Sequence, residues 1–187
     1  INNLNSGGYG GGGISSVWEA HPVVRDSEFI ENIANMGGAI WCIDGGGFEL
    51  DHVLIADNEA RGSGAISLNN SSNFDIRNST IINNISQQDI GVIFLSSSYD
   101  NTIYNSIICN NNPANIEIDN LRQNALIVAF SDIEGGLDGI RNENEQNINW
   151  GEGNFVEDPL FVDPDNGDYH LSWENYPEND ETKSPFI

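Results

Sequence analysis

Short apolar runs alternate with polar positions along almost the whole chain. Ile66-Ser67-Leu68, Phe74-Asp75-Ile76, Ile93-Phe94-Leu95 and Ile116-Glu117-Ile118 each put every second side chain on one face. A period of two predicts half-buried β-strands, and the Gly, Asn, Asp and Ser clusters between them predict tight turns. No segment sustains the i, i+3, i+4, i+7 spacing with caps that a helix requires. The expected fold class is all-β.

The strands also recur. Ile14, Ile40, Ile66 and Ile93 are 26, 26 and 27 residues apart, and Asn32, Asn58, Asn84 and Asn111 repeat those steps. Val24, Leu50, Ile76, Ile103 and Val128 follow steps of 26, 26, 27 and 25, and the Ile column keeps pace if Ile118 follows Ile93. A unit of about 26 residues cannot bury its own apolar face, so each must stack on the next. The expected architecture is a parallel β-helix, or solenoid, of about five coils, each rising by about one strand spacing of 4.8 Å.

In such a stack like residues lie over like. The Asn column is expected to pass side-chain hydrogen bonds from coil to coil and to supply the left-handed conformation of a bend. Phe29, Ile55, Ile81 and Ile108 fill the interior in front of it, and the Gly pairs before Ile40 and Ile66 allow the swing into the next strand. Turn and ladder roles account for most of the 28 Asn and 20 Gly.

FIEN followed by GGAI resembles the paired FxxN and GGA(I/L/V) motifs of polymorphic outer membrane proteins, which are surface β-helix proteins. IRNSTIINN and IYNSIICNN are similar to the repeat of the pectin-lyase-like superfamily. GNFVEDPLFVDPDNGDYHLSWEN followed by SPFI resembles the segment that closes large secreted bacterial β-helix proteins. The resemblance implies a right-handed parallel β-helix and an extracellular or outer-membrane-surface location. It leaves activity open, because the superfamily holds lyases, hydrolases and adhesins.

After about Glu134 the repeat fades into polar excursions and short apolar pieces. Residues 1–134 are therefore expected to form the coils and 135–187 a C-terminal cap, with Trp150, Phe155, Phe161 and Trp173 as plugs over an otherwise open end. Ile1 begins in mid-coil, so more of a longer chain or another subunit is expected to cover the N-terminal coil.

Six Lys and Arg against 29 Asp and Glu give a formal net charge of −23. That balance excludes nucleic acid and anionic membrane surfaces as partners. There is no apolar run of 18 residues and hence no expected transmembrane segment. Cys42 and Cys109 fall in different strands two coils apart and are read as free thiols.

Function is expected on the outward columns. If Ile40 and Cys42 point inward, Trp41 points outward, with Ser67 and Phe94 in equivalent positions. Trp41 and Phe94 then offer an aromatic platform for a glycan or another surface protein, or are covered by neighbouring chain. Arg25, Asp51, Arg77 and Tyr104 form a second outward column, with Tyr104 a further candidate ligand contact. Asp163, Asp165 and Asp168 converge on one turn and echo a calcium loop. The Gly is displaced and no Glu stands at the twelfth position, so a plain Asn-Gly turn is the competing reading.

The family's lyases need an acidic calcium site with a nearby base, and its hydrolases need paired carboxylates. Only Asp51 beside Arg77 approaches either, and His21, His52 and His170 are scattered. The reading is a non-catalytic extracellular or cell-surface module with an adhesive or structural role and carbohydrate as its candidate ligand. The alternative is a fragment of a polysaccharide lyase or glycoside hydrolase whose site lies in other coils.

Overall fold

The structure, a computed structural model, describes residues 3–5, 10–70, 73–142, 145 and 147–171, with 120–125 as backbone. Its strands build a parallel β-solenoid of about five turns with almost no helix. In chain order these are β1 (Leu4–Asn5), β2 (Ile14–Val17), β3 (Val23–Ile30), β4 (Ile33–Met36), β5 (Ile40–Ile43), β6 (Phe48–Ala56), β7 (Glu59–Ser63) and β8 (Ile66–Asn69). There follow β9 (Phe74–Arg77), β10 (Thr80–Ile82), β11 (Ile85–Ser86), β12 (Ile93–Tyr104), β13 (Ile107–Cys109), β14 (Ile116–Ala129), β15 (Asp132–Ile133) and β16 (Ile148–Trp150).

Three stacks result. One holds β2, β5, β8 and the first halves of β12 and β14. Another runs through β3, β6, β9 and β10, then the second half of β12 with β13, and the second half of β14 with β15 and β16. The third is β1, β4, β7 and β11. The register matches Ile14, Ile40, Ile66 and Ile93, and likewise Phe29, Ile55, Ile81 and Ile108. All but the top-coil Ile14 and Phe29 are fully buried in one apolar cluster with Leu50, Ile76, Ile103 and Val128.

The fifth coil departs from the expected spacing. Ile116, not Ile118, lies against Ile93, a step of 23, whereas Leu126 lies against Asn101, a step of 25. The two additional residues are taken up by register shifts between Leu95 and Asn101. A bulge absorbs the insertion without disturbing the inward pattern on either side, because each apolar half keeps its own alternation.

The Asn column is an interior ladder. Each backbone N–H and side-chain amide donates to the Oδ1 of the next Asn: Asn32 to Asn58 at 2.9 and 2.8 Å, Asn58 to Asn84 at 2.9 and 2.9 Å, Asn84 to Asn111 at 2.9 and 3.0 Å. The left-handed residue at this bend is not the ladder Asn but the one before it: Glu31, Asp57, Asn83 and Asn110, with φ of 54°, 57°, 55° and 54°. A separate bend follows the second stack at Asp26, His52, Asn78, Asn105 and Phe130, with φ of 47°, 56°, 50°, 49° and 52°.

Behind that second bend runs a serine ladder that the sequence reading missed. The amides of Val53, Ser79 and Ser106 donate to the hydroxyls of Ser79, Ser106 and Ser131 at 3.1, 3.2 and 3.2 Å, and Ser131 N donates to Asn154 Oδ1 at 3.0 Å. Each serine hydroxyl in turn donates to the carbonyl two residues back, at Arg77, Tyr104 and Ala129. The signal was present as Ser79, Ser106 and Ser131 at steps of 27 and 25.

The chain divides into units Ile1–Val156 and Glu157–Ile187. In the first, parallel pairing outlasts the sequence repeat: Arg141 pairs with Glu117, Ile148 and Trp150 with Leu126 and Val128, and Phe155 with Asp132. In the second, β17 (Phe161–Asp163) and β18 (Asp168–Leu171) make an antiparallel hairpin whose Phe161 and Tyr169 rings lie 5.6 Å apart. Trp173 and the terminal Ser-Pro-Phe-Ile lie outside the described residues.

Candidate functional site

Trp41, Ser67 and Phe94 occupy one outward column, with Ser15 above and Glu117 below. The column is not a bare platform, because Trp41 is only 8% exposed and Ser67 is buried. The chain entering the strand folds back over them: Ser63 donates to Ser67 Oγ at 2.9 Å across the bend and also contacts Met36 Sδ. A Cβ on Gly37, whose φ is 57°, would stand 2.9 Å from that of Trp41. Gly37 thus closes on Trp41 and Ser63 on Ser67, and Phe94 alone of the aromatic pair remains half-exposed. Trp41→Ala is expected to lower stability by roughly 2–3 kcal/mol, as emptying a packed aromatic site does. Denaturant melts of that variant beside Tyr104→Ala, expected within about 1 kcal/mol of wild type, separate packing from exposed contact.

The other outward columns lie side by side on one face of the second stack. Val23, Glu49, Asp75, Thr102, Ile127 and Asn149 form the first, and Arg25, Asp51, Arg77, Tyr104 and Ala129 the second. Residues two apart on a strand share a face, so the columns stand about 7 Å apart. The upper half is charged and internally paired. Arg25 reaches Glu49 at 2.9 Å and Asp51 at 3.8 Å. Arg77 binds Asp75, not Asp51, through Nε at 2.8 Å and Nη2 at 2.5 Å.

Asp51 accepts from Asn78 Nδ2 at 2.7 Å and lies 3.1 Å from His52 Nδ1. The Asn78 hydrogen bond, then the positive charges of His52 and Arg25, hold its carboxyl below the usual carboxylate range. An acid so held stays ionised and serves as an acceptor rather than a proton donor.

The lower half has a different character. Thr102 donates to Asp75 Oδ1 at 2.6 Å. Below it opens a concavity of about 750 Å³ lined by Asp100, Thr102, Ile127, Asn147, Ile148, Asn149 and Trp150. In the neighbouring column Tyr104, 45% exposed, packs against Phe130, 40% exposed, with ring centroids 5.2 Å apart and planes at 52°. Phe130 occupies the left-handed bend position where the coils above place Asp, His and Asn. For a bulky side chain that conformation costs about 1–2 kcal/mol.

The acidic turn lies in the C-terminal unit. Asp163 pairs with Asp168 across the hairpin and accepts from Asn166 Nδ2 at 2.8 Å. Asp168 accepts from the His170 backbone at 3.1 Å and lies 2.6 Å from its Nδ1, contacts that hold its carboxyl below the usual range. Asp165 is exposed within the short 3-10 turn Pro164–Asn166, and Gly167 closes it at φ 79°. Among the described residues no group of three or more His, Cys, Asp or Glu is disposed to hold a metal ion.

Of the sequence-derived candidates, Tyr104 therefore stands one column over from Thr102 of the concavity, while Trp41 and Phe94 belong to another strand face. Phe130, Thr102, Ile127 and Asn149 were not singled out. Among the described residues no helix is long and apolar enough to cross a membrane. No family model matches the chain, and neither a curated protein nor a solved structure is found to match it.

Proposed function

We propose that the chain is a non-catalytic extracellular or cell-surface solenoid module with an adhesive role, holding carbohydrate on the lower half of the face that carries Tyr104. The observation behind this reading is the Tyr104–Phe130 pair. Two partly exposed rings, one kept at a conformational cost, stand along the column next to the one whose Thr102 and Asn149 line the concavity. Aromatic faces take the apolar faces of sugar rings, and amide, hydroxyl and carboxylate groups take the ring hydroxyls. The FIEN and GGAI segments, with their resemblance to surface β-helix proteins, support the location, and IRNSTIINN and IYNSIICNN, which resemble the right-handed pectin-lyase-like repeat, agree with it.

A glycan-array screen of wild type and a Tyr104→Ala, Phe130→Ala double variant tests the reading, with product analysis on every polymer bound. The expected result is binding that falls at least about tenfold in the variant, or about 1.4 kcal/mol, with unchanged melting and no cleavage. Shortened or unsaturated products would replace it with the enzyme reading, in which this chain is part of a lyase or hydrolase.

A further inference from the structure

We infer that the ligand of this face is an uncharged oligosaccharide, not a uronate, sulfated or amino-sugar polymer. The inference rests on the carbohydrate reading and narrows it by charge.

Among the described residues seven line the concavity, and Asp100 is the one charged side chain of those seven. Asp100 is already engaged within the chain. Thr102, Asn147 and Asn149 supply neutral donors and acceptors, and Ile127, Ile148 and Trp150 the apolar wall. An acidic sugar needs a cation here. Among the described side chains the nearest one along the face, Arg77 in the column of Tyr104, is held by two hydrogen bonds to Asp75, which Thr102 also binds. Arg25, further up, is paired with Glu49 and Asp51. Drawing either arginine to a uronate would strand a carboxylate on a chain of net charge −23, so binding would oppose both the local pair and the surrounding field.

A cationic sugar would gain mainly diffuse attraction, screened over about 8–10 Å at physiological salt, since the one described lining carboxylate already has an interaction within the chain. Hydroxyl groups suit the site as it stands. Each amide side chain donates and accepts at once, and the concavity is within the range of small-ligand sites.

The test is calorimetric titration of the whole chain with four soluble probes: neutral glucan and neutral mannan oligosaccharides, polygalacturonate oligomers and chitosan oligomers. Each is run at about 20 and about 200 mM salt, which spans the screening regime. The expected result is binding of a neutral probe with less than about a twofold change in Kd between the two salts. A Thr102→Val, Asn149→Ala variant is expected to weaken it at least tenfold. Binding confined to polygalacturonate or to chitosan, or a neutral-probe Kd that weakens steeply with salt, would overturn the charge inference and leave the carbohydrate reading standing. Binding of none of the four would overturn both. A neutral-probe Kd unchanged in the Thr102→Val, Asn149→Ala variant would place the ligand off this face and overturn the inference.

Discussion

Replacing Asn58 by leucine is expected to lower the unfolding free energy by about 3–5 kcal/mol, a large share of the about 5–15 kcal/mol that holds an ordinary domain folded. The magnitude follows from position in the ladder. The Asn58 side-chain amide donates to the carbonyls of Phe29 at 2.8 Å and Ala56 at 3.0 Å as well as to Asn84. Its carbonyl oxygen accepts from both the backbone and the side chain of Asn32. Leucine has the same number of side-chain heavy atoms but is bulkier and removes five hydrogen bonds at a fully buried site, so polar groups of three successive coils lose partners together. Equilibrium urea unfolding of Asn58→Leu beside Asn78→Gly checks the claim. Asn78 sits in an outer ladder, between Asp51 and Asn105, where water replaces a lost bond, and at a left-handed bend that glycine adopts without strain, so its loss is expected to cost about 1 kcal/mol or less. Equal effects at the two positions would show that burial of the inner ladder does not set its strength.

That contrast marks what the sequence carries and what it does not. Period and inward face were legible because a solenoid repeats one packing problem: Leu50, Ile76 and Ile103 meet the same neighbours in every coil, and selection for burial writes a column. The Asn ladder was legible for the same reason. The conformational role at its bend was not, because Glu31, Asp57, Asn83 and Asn110 share a left-handed φ without sharing a side chain. Backbone geometry can repeat while residue type drifts, given that Asn and Asp are the easier occupants but not the only ones.

The candidate site was half legible. Tyr104 could be placed on an outward column by counting, but counting assigns a face and not its exposure. The alternation that turned Trp41 outward was right about direction, yet the bend through Met36 and Gly37 folds chain over that direction and buries the ring. Phe130 escaped notice because it lies at a bend, outside any alternating run. Thr102, Ile127 and Asn149 share one column only because the bulge in β14 restores register after a short step, a correction that sequence spacing shows as irregularity.

Cys42 carries the second large effect, and it appears in alkali. The thiol is fully buried in the column Ser16, Cys42, Leu68, Leu95, Ile118. Burial pushes its pKa from 9.0 up to about 12, with a hydrogen bond from Ser16 opposing the shift weakly. The folded value lies above the unfolded one, so the thiol's contribution to stability is fully present below pH 9 and is lost as pH rises toward 12. A shift of about three units corresponds to about 4 kcal/mol at the alkaline limit. In a Cys109→Ala background, which removes the other free thiol, urea unfolding from neutral pH to about pH 11 is expected to show the Cys42 protein losing roughly 2–3 kcal/mol relative to Cys42→Ala. Stability curves that stay parallel across that range would mean the thiol ionises as easily folded as unfolded. The same burial makes a second readout. Iodoacetamide at mildly alkaline pH is expected to label Cys42 only under unfolding concentrations of urea, because the thiolate is the nucleophile and the fold suppresses it. Rapid labelling of the native chain would instead place the sulfur within reach of solvent and remove Cys42 from the core column on which the coil register depends.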